Sequence, residues 1–435
     1  MTDSSPSQAN QPPARLLVIG AGNRGDAYAD YARRHPAEAQ IAGVAEHQPV
    51  RRERFAQRHA LPPERVWHDW RDLLSLPRQA DAAVISTQDH QHVEPALALA
   101  AQGYHILLEK PMAPTLQGCL QIVAAAEAAG VLVAVCHVLR YTAYTAALKR
   151  LLGSGRLGRI MSIEHLEPVG HWHQAHSYVR GNWRNEAQSS PMLLAKSCHD
   201  LDWISYLMGQ SCTRLSSFGS LSHFRADQRP AGAADRCLDC ALARECPYDA
   251  RRFYLGELEG GNVGWPVDTI TDDLTAAGVL EALRSGPYGQ CVYACDNDVV
   301  DHQVVNMEFA DGATASFTMT AFTRGRGRET RIFGTRGELW GDSRYLRVYD
   351  FLSGQTEEID TETPSDGSIL SGHDLSGHGG GDDGLMRAFV RAVRTGDGGA
   401  ILSGPRASLE SHLMVFGAEQ ARRAGSVYRM QSEHS

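Results

Sequence analysis

Three glycines closing one apolar run, Leu16-Leu17-Val18-Ile19-Gly20-Ala21-Gly22-Asn23-Arg24-Gly25, constrain this chain more than any other feature. Gly20 permits a tight turn, Gly22 removes the side chain where a pyrophosphate must approach, and Gly25 lets the next helix pack on the strand. The amides freed at that helix start, with Asn23 and Arg24, would face the anion. A second apolar strand over 41–45 ends at Glu46, about twenty residues beyond the last glycine, where a carboxylate takes a ribose diol. That acid repels a 2′-phosphate, so the pattern favours NAD, while Arg51 and Arg52 keep NADP open. Otherwise Glu46 is a surface acid after a buried strand.

Strands over 82–86, 105–108 and 131–135 then alternate with Ala-rich helical segments, as a parallel sheet requires. Polar residues gather just past the strand ends: Thr87 with His92, then Glu109-Lys110-Pro111, then 137–140. In such sheets ligands bind at that edge. The 435 residues, 43% apolar, suffice for two or three domains. A formal net charge of -9 without a basic block argues against nucleic acid as the partner. No apolar run is long enough to span a membrane, and the polar N-terminus lacks a signal-peptide pattern, so a cytoplasmic protein with no membrane partner is expected. Nine cysteines fit reduced thiols. Residues 1–14 read as a disordered tail, 15–138 as the nucleotide-binding domain, and 139–435 as a substrate and assembly domain with a cysteine-rich insertion near 225–265.

Moving a hydride from a hydroxyl-bearing carbon to a nicotinamide also requires taking a proton from the hydroxyl. Lysine suits that task because, unlike arginine, it can lose its proton. Lys110 is therefore the first catalytic candidate. Glu109 should point away, toward a structural role or the nicotinamide ribose, and Pro111 admits a cis bond that would aim Lys110 into a cleft. The alternative is a solvated lysine at a strand end.

Together the glycine turn, Glu46, Thr87 with His92, the Glu109-Lys110-Pro111 triplet and the segment His137 to Arg140 resemble the Gfo/Idh/MocA family of sugar and inositol oxidoreductases, over nearly the whole chain. The resemblance implies an N-terminal Rossmann domain plus a C-terminal α/β domain with a large, mainly antiparallel open sheet. That sheet often forms the subunit interface, so a homodimer or homotetramer is expected. It also implies NAD contacts from Gly20, Gly22, Asn23, Arg24, Gly25, Glu46, Thr87, His92, Glu109 and Lys110.

The densest polar stretch is His171-Trp172-His173-Gln174-Ala175-His176-Ser177-Tyr178-Val179-Arg180-Gly181-Asn182-Trp183-Arg184. Its aromatic faces and charged donors suit a polyhydroxylated ligand, so His173, His176, Arg180 and Trp183, with Arg140, are substrate candidates. The alternatives are a metal held through His171 with His173 or His176, or a plain surface loop. Farther on, His199 and Asp202 share adjacent turns of a helix and match the family's catalytic histidine followed by an aspartate. His199 is the second catalytic candidate. The family usually places an aspartate four residues before that histidine. Here Ala195 stands there with Lys196 beside it, pointing to an acidic substrate group or altered chemistry.

Cys237, Cys240 and Cys246 follow a C-x2-C pattern with a third cysteine, which suits a structural zinc more than magnesium or calcium. His223, Cys212, Cys291 or Cys295 would complete it; otherwise these are thiols of an inserted loop. Asp311-Gly312 between alternating strands signals a hairpin. Near the end, His378, Asp382 and Asp383 lie in a glycine-rich stretch that reads as a hinge or helix cap before helices over 385–395 and 405–424. The expected activity is an NAD(P)-dependent oxidation of a sugar, inositol or sugar-derived acid. A redox-neutral, NAD-using glycoside hydrolase is the alternative, and a cofactor-binding sensor is a third reading.

Overall fold

The computed structural model describes residues 11–362 and 376–430. Six strands, β1 (Ala14–Ile19), β2 (Ala39–Ala45), β3 (Val66–Trp67), β4 (Ala82–Ile85), β5 (His105–Leu108) and β6 (Val133–Val135), form a parallel sheet in the order β3-β2-β1-β4-β5-β6. Helices α1 (Asn23–Arg34), α2 (Pro49–Arg58), α3 (Val93–Ala101) and α4 (Leu116–Ala129) connect them. Every residue of β4 is buried, as expected of a strand covered on both faces. Strand order reverses between β1 and β4, so the chain leaves these strands in opposite directions and opens a crevice beyond their carboxyl ends.

The chain divides into two compact units, Met1–Ser154 with Asp360–Leu413, and Gly155–Ile359 with Met414–Ser435. The first therefore takes in a late segment that the sequence groups with the C-terminal half. The reason is apolar: Leu385, Met386, Phe389 and Val390 join Leu16, Val18, Val84 and Leu107 in one buried cluster. Their helix runs Ser376–Thr395, starting nine residues before the expected 385 and passing through the glycines read as a hinge. Of those glycines Gly381 serves close packing, as does Gly384 just beyond them. A Cβ at Gly381 would stand 2.5 Å from the Val138 carbonyl oxygen, and one at Gly384 would stand 2.5 Å from that of Tyr141. The side chain of His378 lies outside the described residues, as do residues 1–10 of the tail expected over 1–14; Ala14, the last residue of that expected tail, is instead buried in β1.

The second unit is built on nine strands: β7 (Ile160–Pro168), β8 (Cys212–Ser220), β9 (His302–Phe309), β10 (Thr314–Thr320), β11 (Glu329–Gly334), β12 (Gly337–Gly341), β13 (Tyr345–Asp350), β14 (Thr356–Asp360) and β15 (Tyr428–Arg429). Their order is β14-β13-β12-β11-β7-β10-β9-β8-β15. β7 and β10 pair in parallel, and most other neighbours are antiparallel. The Asp311-Gly312 turn joins β9 to β10 as its sequence signals. Alternation on β7 buries Ile163, His165 and Glu167 on one face. That places two ionisable side chains where apolar ones are usual.

Candidate active site

At the glycine turn the three positions separate by what a side chain would meet. Gly20 has φ +89°, and a Cβ there would lie 2.9 Å from the Ser86 carbonyl oxygen; at Gly25 it would lie 2.1 Å from that of Gly20. Both are required by the fold itself. At Gly22 the nearest atom is Arg51 Nη1 at 3.9 Å, so the protein leaves that approach open. An open approach over the start of α1 fits a dinucleotide phosphate. Gly22→Ala is thus expected to weaken NADH binding about tenfold or more with little change in melting temperature, while Gly25→Ala should lower the melting temperature. Titration and thermal unfolding of the two variants check this split. Glu46, 5% exposed, sits beside the turn, its Oε2 accepting from Ala21 N at 2.7 Å and its Oε1 from Gln48 N at 2.8 Å.

The Glu109-Lys110-Pro111 corner follows β5, with the Lys110–Pro111 peptide cis. Fully buried His92 braces it: Nδ1 lies 2.8 Å from the Pro111 carbonyl oxygen and Nε2 3.1 Å from that of Thr87. Its ring nitrogens are thus spent on backbone, which places His92 behind the corner as a support. Thr87 is half-buried, its hydroxyl 3.3 Å from the Gln91 carbonyl oxygen. Glu109 is buried, with Oε1 accepting from Arg24 Nε at 2.6 Å and from the Tyr28 hydroxyl at 2.8 Å, and Oε2 accepting from Lys110 N at 2.6 Å. Burial alone would raise this carboxyl, but the charges of Arg24 and Lys110 hold it below its ordinary value. Arg24 is also clamped by Asp382 at 2.7 and 3.2 Å. Rather than pointing at a phosphate, its guanidinium organises the acid beside Lys110. Arg140 is likewise engaged, donating to the Leu402 carbonyl at 2.6 Å.

In the second unit, His199 and Asp202 lie buried on the helix Cys198–Met208. Asp200, between them and not singled out by the sequence, anchors a network reaching both sheet and loops. His165 Nε2 lies 3.1 Å from Asp200 Oδ1, and His165 Nδ1 lies 2.7 Å from the Thr330 hydroxyl. Arg328 pairs with Asp200 and, at 3.0 Å, with Glu167, which also holds Lys196 at 3.3 Å. Burial pushes the Asp200 carboxyl up, but Arg328 and His165 outweigh it and hold Asp200 well below the carboxylate range. Lys196 and Arg328 stay about one-fifth exposed while the carboxylates beneath them are buried. The arrangement presents cationic donors to solvent over acceptors fixed behind them.

The stretch after β7 is not a surface loop. Residues Gln174–Arg180 form a wide π-helical turn whose side chains are all buried. His173 stacks on Trp172 at 5.4 Å and meets Trp265 edge-on at 5.1 Å, while half-buried Trp183 lies 6.3 Å from Tyr178 between ring centroids. His176 Nδ1 lies 2.6 Å from the Tyr254 hydroxyl. Burial and Arg180 push His176 down to about 3. A histidine so depressed stays neutral when folded but takes up a proton when unfolded below about 6.5. Its contribution to stability is therefore complete above that pH and is lost progressively toward pH 3, at about 1.4 kcal/mol per unit. Chemical denaturation across this range should show His176→Gln with a shallower acid slope than the parent.

Arg180, expected to meet substrate, instead braces the insertion. It is 3% exposed and donates to the carbonyls of Gln290 at 2.7 Å and Tyr248 at 2.9 Å, and to Cys237 Sγ at 3.4 Å. Cys237, Cys240 and Cys246 do line one cavity of about 220 Å3, together with Cys291. Among the described residues, however, no three His, Cys, Asp or Glu side chains are placed to hold a metal ion. Burial raises Cys246 and Cys291, which keeps them as protonated thiols. The zinc expectation therefore finds no support here, either at these thiols or at His171, His173 and His176.

Residues 14–137 match the profile of the oxidoreductase family with an NAD-binding Rossmann fold, and residues 149–430 match its C-terminal alpha/beta domain. The chain belongs to the Gfo/Idh/MocA oxidoreductase family. It is 33% identical to the inositol 2-dehydrogenase of Streptomyces avermitilis over 204 residues, 46% of this chain and 55% of that one. Against YteT of Bacillus subtilis (strain 168), an oxidoreductase by assignment, identity is 23% over 313 residues, 70% of this chain and 71% of the relative. Seven further curated relatives are matched over only 36% to 55% of their own length. A levoglucosan dehydrogenase solved with NADH and levoglucosan shares the fold at a TM-score of 0.72, with 20% identity over 97% of this chain and 100% of that one.

One sequence signal bears on the Lys110 corner and on the Glu167 network, each taken by itself. Of 42 basic residues only three, Lys110, Lys149 and Lys196, are lysine. Arginine carries nearly all the ion pairing, and two of the three titratable amines fall on the Lys110 corner and the Glu167 network.

Proposed function

We propose that this chain oxidises a secondary hydroxyl of a neutral sugar or inositol, using NAD, with NADP as the weaker cofactor. The observation that carries the reading is Lys110, held after β5 by its backbone bond to Glu109 and by the His92 brace at Pro111. The turn Gly20 to Gly25, the α1 start at Asn23, Glu46 and Thr87 hold the dinucleotide. The bound nicotinamide supplies the hydride acceptor. Lys110 takes the hydroxyl proton onto Nζ, and His199 hydrogen-bonds the substrate oxygen as partner in that transfer.

Charge balance supports a neutral substrate. Lys196 and Arg328 look like a receptor for an acid, yet Glu167 and Asp200 already neutralise them. A carboxylate ligand would leave a net negative charge in a half-buried site, whereas hydroxyls can use donor and acceptor together. Exposed Met161, Phe218 and Tyr349 on β7, β8 and β13 favour a homodimer or homotetramer built on the second sheet. Among the described residues no helix is long and apolar enough to cross a membrane, and none of the nine cysteines forms a disulfide, which supports a cytoplasmic enzyme.

The test is a panel of neutral sugars and inositols, their glycosides and the matching sugar acids, incubated with NAD and followed by NADH absorbance and product chromatography. Steady NADH formation with a neutral member, and at least about tenfold less with its acid, is expected. Aglycone release without net NADH would replace the dehydrogenase by the redox-neutral hydrolase. NADH binding with neither product would favour a sensor.

A further inference from the structure

Resting on the reading of Lys110 as proton carrier, we infer that Asp382 and Arg24 form a positioning pair for Lys110, acting through the Glu109 carboxylate. The chain of bonds is continuous and directional. Asp382, 5% exposed near the start of the helix Ser376–Thr395, accepts from both terminal nitrogens of Arg24 at 2.7 and 3.2 Å. That clamp fixes the guanidinium plane and leaves Nε for Glu109 Oε1 at 2.6 Å. Tyr28 donates to the same oxygen at 2.8 Å, so the second oxygen is left facing Lys110 N at 2.6 Å. An arginine is needed because only its rigid fork can serve two acids in one plane.

The corner is also balanced in charge. Arg24 and Lys110 stand against Glu109 and Asp382, with Tyr28 from α1 and Cys136, His137 and Arg140 beyond β6 as the other titratable groups facing it. Removing the Asp382 charge leaves Arg24 under-neutralised and Glu109 free to turn, which alters the aim and exposure of Lys110.

The helix carries its own control. Asp383, one residue along, makes an equally close pair with Arg34 at 2.5 Å, and Arg34 turns to Asp30 at 2.9 Å rather than to Glu109. Asp382→Asn and Asp383→Asn therefore cost comparable ion pairs, but only the first touches the corner.

Both variants of the full chain are titrated with NADH, assayed on the neutral polyol found active, and labelled with acetic anhydride. Labelling of Lys110 relative to Lys149 is read by mass spectrometry, which needs no substrate. For Asp382→Asn we expect NADH affinity within about threefold, kcat lowered about tenfold or more with KM little changed, and a Lys110 to Lys149 labelling ratio raised about threefold. Asp382→Glu should recover much of kcat, and Asp383→Asn should match the parent throughout. Should Asp382→Asn fail to fold, Tyr28→Phe, which removes only one donor to Glu109, should still lower kcat and shift the ratio. An unchanged ratio and kcat in Asp382→Asn, or equal losses in both aspartate variants, overturns the inference. Turnover surviving in Lys110→Met would instead sink the proton-carrier reading beneath it.

Discussion

Lys110→Met is expected to lower turnover about a thousandfold, with NADH affinity and melting temperature close to those of the parent. The substitution keeps an unbranched chain of similar reach but removes the only group at that position able to accept a proton. The backbone of the corner should hold, because the bond from Glu109 Oε2 goes to the Lys110 backbone nitrogen and His92 is bound to the Pro111 carbonyl. Lys110→Arg should be nearly as inactive, since a guanidinium does not release its proton at working pH. Single-turnover rates with saturating NAD would measure both. Parent-like rates in either variant would remove Lys110 from the chemistry.

The second large effect is on stability. Arg328→Met should destabilise the second unit by about 3–5 kcal/mol at neutral pH, because Asp200 and Glu167 then stay buried without the cation between them. In the parent, the depressed Asp200 carboxyl adds stability that is present above its unfolded value and lost as pH falls through its folded one. In the variant Asp200 keeps only His165 and is more readily protonated, so the deficit relative to the parent should shrink on acidification. Urea unfolding at several pH values would show this narrowing. A deficit that is small or independent of pH would mean that the network contributes little. Lys196→Met should cost less, since it leaves the Arg328 link to Glu167 in place.

What the sequence makes legible is local. The glycine turn, Glu46 after β2 and the Glu109-Lys110-Pro111 corner are each set by neighbours within a few residues of a strand end, and a parallel sheet follows from the alternation of strands and helices. The partners of those residues are not local. Asp382 reaches Arg24 across 358 positions and Arg328 reaches Asp200 across 128, so no periodicity could pair them. A fainter sign was present in the ionisable residues His165 and Glu167 on the alternation of β7 that also buries Ile163. Arg180 misled because a basic residue among aromatics resembles a ligand donor, whereas its partners are carbonyls that the insertion brings in. The cysteine spacing misled similarly: a pattern along the chain does not fix how far apart sulfurs stand once a helix and a loop intervene.

The late return of the chain to the first sheet bears on synthesis. Until the ribosome has passed Val390, the half made first exposes the greasy patch meant for Leu385, Met386, Phe389 and Val390. A truncated product ending after Ser154 would carry that patch permanently and aggregate. The nascent nucleotide-binding half must therefore wait, incomplete, while the whole second sheet is translated.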